Sequence, residues 1–144
     1  MSRKRIIKYI NIEQVEYSAF SLAQQFMLWN EPIPDFSTRF PDILERCLSA
    51  PRQTYDKKDL YPTLEDKCSI LFYVLIKDHP FQNGNKRLAV MSLLIFLAEN
   101  NKWLKVSPKL LYQLAVLVAK SDPKEKELII DFIRLFAKEN ITKS

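Results

Sequence analysis

Glycine is nearly missing from this chain: one in 144 residues, at position 84. Tight hairpins lean on glycine at positive-φ positions, so this scarcity, with long apolar-periodic stretches, argues for helices and few hairpins. Histidine is as scarce, His79 being the single example. It is the one side chain here whose ordinary pKa lies near neutrality. The two cysteines, Cys47 and Cys68, have no metal-type spacing and fall in apolar helical patterns, which reads as buried free thiols. The longest apolar stretch, Leu88 to Ala98, is too short to span a bilayer, so no membrane partner is expected. The start of the chain is charged and then mixed, without a secretory apolar core, and the expected location is cytoplasmic.

What is present is a normal apolar content of 47% and a modest net charge of +5. Such a chain avoids disorder and fits one domain over residues 1–144 with a real core. Much of the positive charge lies near the ends, at Arg3, Lys4, Arg5, Lys138 and Lys143. No basic stripe interleaved with aromatics marks a nucleic-acid face, so direct nucleic-acid binding is not expected. A weakly basic protein suits an anionic ligand or an acidic partner instead.

In chain order, residues 1–10 read as an extended N-terminal arm. Asn11 with Gln14 forms a capping-box signal, and Val15, Ala19, Leu22, Ala23 and Phe26 follow at helical spacing until Pro32 and Pro34 stop the helix near Trp29. Pro41 opens a second helix carrying Ile43, Leu44, Cys47 and Leu48. Residues 51–62 are polar and flanked by proline, and allow a short β-hairpin flap beside a plain solvated loop. Thr63 with Asp66 caps a third helix whose inward face is Cys68, Leu71, Phe72, Leu75 and Ile76. The helix at about 86–100 is apolar nearly all round and should be the buried centre of the domain. Asn100 and Asn101 end it. Ser107-Pro108 opens a helix through Leu111, Leu114, Ala115 and Val118, and Asp122-Pro123-Lys124-Glu125 repeats the device for a last helix facing inward through Leu128, Ile129, Phe132, Ile133 and Phe136. The expected fold class is all-α, a compact bundle of about five to six helices around that central helix.

Between the third helix and the central one stands His79-Pro80-Phe81-Gln82-Asn83-Gly84-Asn85-Lys86-Arg87. It delivers the lone imidazole, two amides, the lone glycine and two cations to a helix N-terminus, where free N–H groups and the helix dipole favour anions. Lys86 and Arg87 oppose that dipole, so an anionic ligand or acidic partner is needed to justify them. His79, with an ordinary pKa near neutrality, is the natural general base. Phe81 should point inward and pin the loop. Gly84 and Asn85 would present backbone and amide donors to phosphate oxygens, and Lys86 and Arg87 would add full charges in the first turn.

The string resembles the signature of the Fic/Doc superfamily, His-x-Phe-x-(Asp/Glu)-(Gly/Ala)-Asn-(Gly/Lys)-Arg-x-x-Arg in its long form. Asn85-Lys86-Arg87 is similar to the Doc (death-on-curing) branch. The second Arg of the Fic branch would stand at position 90, where this chain has Val90. Leu60 to Lys67 and Phe96 to Asn100 also resemble Doc-type relatives, and the likeness covers roughly residues 4–138. The resemblance implies a Fic/Doc-like bundle, a nucleoside triphosphate such as ATP as substrate, Mg²⁺, a hydroxyl side chain of a protein as acceptor, and Asn85 as the anion-hole residue. In the Doc branch the γ-phosphate is transferred, the target is a translation factor, and the protein is the toxin of a toxin–antitoxin pair. In the Fic branch AMP is transferred instead.

Asn83 stands at the metal position, where the family usually has Asp or Glu. A neutral amide is a weaker ligand for a hard dication. Metal binding survives through the nucleotide's own oxygens and water, or the enzyme is weakened, or catalysis is lost and a nucleotide- or partner-binding module remains. The self-restraining string (Ser/Thr)-x-x-x-Glu-(Gly/Asn) is missing, since Ile95 precedes Glu99-Asn100 and Leu135 precedes Glu139-Asn140. Restraint is therefore expected from an antitoxin peptide or protein acting in trans.

Overall fold

The computed structural model describes residues 6–19, 21 and 39–143. Three helices start where the sequence supplies a side-chain cap, at Asn11, Thr63 and Ser107. Asn11 and Gln14 exchange backbone–side-chain hydrogen bonds of 2.9 and 3.0 Å around α1 (Ile12–Gln14). The chain then widens into a π-helix over Val15–Ala19, in place of the continuous α-helix that the spacing predicts. The expected run to Trp29 and the break at Pro32 and Pro34 fall outside the described residues. α2 (Pro41–Ser49) begins on its proline and buries Leu44, Cys47 and Leu48.

α3 (Leu64–Lys77) carries the Thr63/Asp66 capping box. Its periodicity predicts one inward face, yet every residue from Lys67 to Ile76 is buried. The reason is its position. α3 lies beside α4 (Asn85–Glu99), and these two helices together form the centre, with α2 and α6 (Lys126–Asn140) against α3 and α5 (Pro108–Lys120) against both. α4 itself is buried from Arg87 to Leu97, as its all-round apolar character requires. Lys67 can enter this core because its ammonium donates to Pro51 O at 3.2 Å and lies 5.6 Å from the Tyr9 ring centroid.

Ser107 caps α5, and Leu111, Leu114, Ala115 and Val118 are buried there as the sequence predicts. The last helix differs from expectation in two ways. Asp122 accepts from Lys124 N–H and caps a short 3₁₀ turn, Pro123–Glu125, so the capping box does not open α6. Leu128 and Phe132 are 65% and 49% exposed, while Ile133 and Ala137 are buried. Among the described residues α6 packs mainly on α3, through the stripe that Ile133 and Ala137 bury.

The flap exists as a hairpin of β1 (Thr54–Tyr55) and β2 (Lys58–Asp59). Its turn residues Asp56 and Lys57 both hold positive φ, the geometry of a type I′ turn made without glycine. A second antiparallel pair, β3 (Lys102–Leu104) with β4 (Ile141–Lys143), has no forerunner in the sequence pattern. It ties the end of the chain to the segment after α4. The arm is tied down as well: Ile10 is buried, and Lys8 exchanges two hydrogen bonds of 2.9 Å with the Asn100 side chain. Among the described residues no helix is long and apolar enough to cross a membrane.

Candidate active site

The site is built where α3 ends and α4 begins. In the last turn of α3, Lys77 Nζ donates to Ser121 O at 2.7 Å and Ala119 O at 3.4 Å. A cation thus satisfies carbonyls at the C-terminus of α5 and fixes that helix end beside the loop. Asp78 caps α3, and the chain turns sharply at His79, whose φ of 50° is uncommon for a residue other than glycine. Phe40 N–H donates to Pro80 O at 2.8 Å, and Phe81 is buried at 1% exposure. His79 itself is exposed.

Gly84 is the residue before α4 and adopts φ 74°, ψ 14°. A Cβ there would cost about 1–2 kcal/mol, which accounts for the one glycine the chain retains. Asn85, 6% exposed, folds back on the loop. Its Oδ1 accepts from Phe81 N–H at 3.0 Å and its Nδ2 donates to Phe81 O at 2.9 Å, with His79 Nδ1 3.5 Å from the same Nδ2. The amide expected to face phosphate is therefore also the clasp that shapes the loop.

Leu88 N–H to Gly84 O, at 3.0 Å, is the hydrogen bond that joins α4 to its cap. The backbone N–H groups of Asn85, Lys86 and Arg87 precede it, in the first turn of the helix. No acidic residue lies in this first turn. Lys86 is partly exposed, whereas Arg87 is 4% exposed and sits within the fold.

A cleft of about 240 Å³ opens here, lined by His79, Gln82, Asn83, Gly84, Asn85 and Lys86, with Ile76 and Ala119 as its apolar wall. Drug-sized sites run to about 300–1,000 Å³, so this one suits a phosphate chain better than a whole nucleotide. The structure thus brings His79, Asn83, Gly84, Asn85 and Lys86 to one cleft, while Phe81 and Arg87 are buried and are not part of its lining. Gln82 lies inside the motif at a variable position, and Ala119 comes from a distant helix with no sequence signal. A larger hollow of about 420 Å³ between α3 and α6 contains no motif residue and is bridged by Arg134, which pairs with Asp66 at 3.7 Å and with Asp131.

The cysteines do not compete for a catalytic role. Burial pushes the Cys47 thiol up to about 12, helped by the Asp78 carboxylate and opposed by Arg46. Burial raises Cys68 too, with Glu65 adding to it. Asn83 is exposed and offers one neutral amide oxygen. Among the described residues no three His, Cys, Asp or Glu side chains come together. That donor set does not fit a metal ion held by the protein alone.

Among curated proteins and among solved structures, nothing matches the chain. A family model does: that of the Fic/DOC family, over residues 5–97. The matched span takes in the arm, the flap, α3, the loop and nearly all of α4, and stops before α5 and α6. It is well over half of the sequence, and with it the chain belongs to the Fic/DOC family, whose members generally transfer a nucleoside monophosphate or a phosphate to proteins.

Proposed function

We propose that this Fic-type domain is a Doc-like phosphotransferase, which moves a phosphate from a nucleoside triphosphate to a hydroxyl side chain of a target protein and serves as the toxin of a toxin–antitoxin pair. The observation that carries the reading is one cleft shared by His79, Lys86 and the glycine-capped start of α4. His79 takes the proton of the target hydroxyl. The first-turn N–H groups and Lys86 bind the phosphate oxygens and meet the charge that develops on them. Arg87 adds its charge from inside the helix start, and Phe81 anchors the loop. Magnesium, when present, screens phosphate charge; with Asn83 the only protein oxygen at the family's position, it would arrive on the nucleotide.

Phosphate transfer is favoured over AMP transfer by Val90. It is fully buried where the AMP-transferring branch places its second Arg, so the core and not a ligand decides that position. The β1–β2 flap, exposed along both strands, offers backbone groups to an extended segment of the target. The translation-factor target and the antitoxin in trans follow from the Doc likeness.

The test is label transfer from ATP marked at the α or the γ phosphate, in lysate with Mg²⁺, for the native chain and His79→Ala. Label from γ that disappears in the mutant supports the reading. Label from α moves the protein to AMP transfer. No label from either, with folded protein, overturns the ATP-dependent readings and leaves a binding module impaired at Asn83, or another nucleotide donor as the next to test.

A further inference from the structure

We infer that Asn85 is a positioning residue for the base, and that Nδ1 of His79 is the atom that takes the proton. This rests on the general-base role proposed for His79. The Asn85 amide cannot be turned round without losing two hydrogen bonds, since Oδ1 accepts from Phe81 N–H and Nδ2 donates to Phe81 O. That orientation aims an N–H, not an oxygen, at His79 Nδ1, 3.5 Å away. Only a bare ring nitrogen can meet a donor. In neutral imidazole the single ring proton then lies on Nε2.

The surroundings hold this arrangement. Asn85 is buried, so the amide has little water to turn to. His79 stands between the cap of α3 and Pro80, whose carbonyl is bound by Phe40, so the backbone that carries the ring is fixed on both sides. A separation of 3.5 Å is longer than a full-strength hydrogen bond. The contact therefore orients the ring and yields when a hydroxyl arrives.

In the reaction, the hydroxyl proton passes to Nδ1 as the target oxygen bonds to the terminal phosphorus of the nucleoside triphosphate. The bond from that phosphorus to the bridging oxygen breaks, and its electron pair leaves with the nucleoside diphosphate. Nε2–H takes no part. The incoming hydroxyl must then approach on the Asn85 side of the ring, facing the N-terminus of α4.

Because the chain has one histidine, its ring nitrogens can be read without assignment ambiguity. The experiment is long-range ¹H–¹⁵N correlation spectroscopy on the full ¹⁵N-labelled chain, at a pH where the imidazole is neutral. The expected result is a protonated Nε2 and a bare Nδ1. Asn85→Ala should lose this preference, and Asn85→Asp should reverse it, because a carboxylate accepts from Nδ1–H. A protonated Nδ1 in the native chain overturns the inference, as does an unchanged tautomer in folded Asn85→Ala. If neither variant folds, the native spectrum decides alone. No transfer activity is read, so failed label transfer and a failed tautomer test are separate results.

Discussion

The two ends of α4 use the same residue in the same way and reach opposite outcomes. Asn85 and Asn100 are both buried, and each donates its amide to the carbonyl four residues earlier, Phe81 O at 2.9 Å and Phe96 O at 2.8 Å. Each also accepts from a backbone N–H, of Phe81 and of Lys8 respectively. At the C-terminal end the arm closes over the asparagine, and Asn100 gives a further hydrogen bond to Lys8 O. At the N-terminal end the remaining N–H points at an exposed histidine beside an open cleft. A helix end whose polar groups are spent on its own chain is a joint. One whose first turn borders an open cleft is a place where an anion can be held.

The largest effect that would break this contrast is on the chemistry. His79→Ala should lower transfer by about 10²–10⁴-fold, the usual weight of a general base, with thermal stability unchanged. Equal activity in the mutant would remove the functional side of the comparison. At the other end, Asn100→Ala strands the buried Phe96 carbonyl and part-buried backbone groups of Lys8, and should cost about 1–3 kcal/mol of stability. Denaturant unfolding would show it, and transfer per folded molecule should be unaffected. A loss below about 0.5 kcal/mol would mean that the arm contributes little to the joint.

Gly84→Ala acts at the open end through the backbone. It should destabilise by about 1–2 kcal/mol, since alanine resists the left-handed conformation found there, and it should impair transfer more than Asn100→Ala does. Equal transfer in the two variants would show that loop shape is not what the glycine protects. The smallest effect concerns Cys47, beside the α3 end. Its thiol should resist alkylation in the folded protein at neutral pH and react fully in denaturant. The folded pKa of about 12 exceeds the ordinary 9.0, so the native state binds more protons than the unfolded chain between those values. Stability should therefore fall as pH rises from about 9 towards 12, and be unaffected below that window. Flat stability across alkaline titration of native and Cys47→Ala proteins alike would contradict the burial.

Much of this architecture was legible because it is local. The caps at Asn11, Thr63 and Ser107 satisfy N–H groups within three residues, and the glycine at 84 answers a backbone conformation at its own position. The buried character of α4 follows from having no polar face. The motif string placed the chemistry-bearing residues together since they are neighbours in sequence. Asp122 shows the boundary of such reasoning: its cap signal was real, but a 3₁₀ turn used it before the helix began.

The sequence by itself determined most of the helices, the capped starts at Asn11, Thr63 and Ser107, and the residues of the loop, since each depends on hydrogen bonds or apolar spacing within a few positions. Only the tertiary structure decided what depends on distant partners. The Lys8–Asn100 clasp joins positions 92 apart. The β3–β4 pair, the burial of Lys67 under Tyr9 and Pro51, and the Ala119 wall of the cleft likewise need a second segment to arrive. The same is true of α6, where packing on α3 leaves Leu128 and Phe132 exposed although both lie on the apolar face that the spacing predicts. A polar group or apolar side chain encodes a demand for a partner; which partner meets it is settled only when the chain has packed.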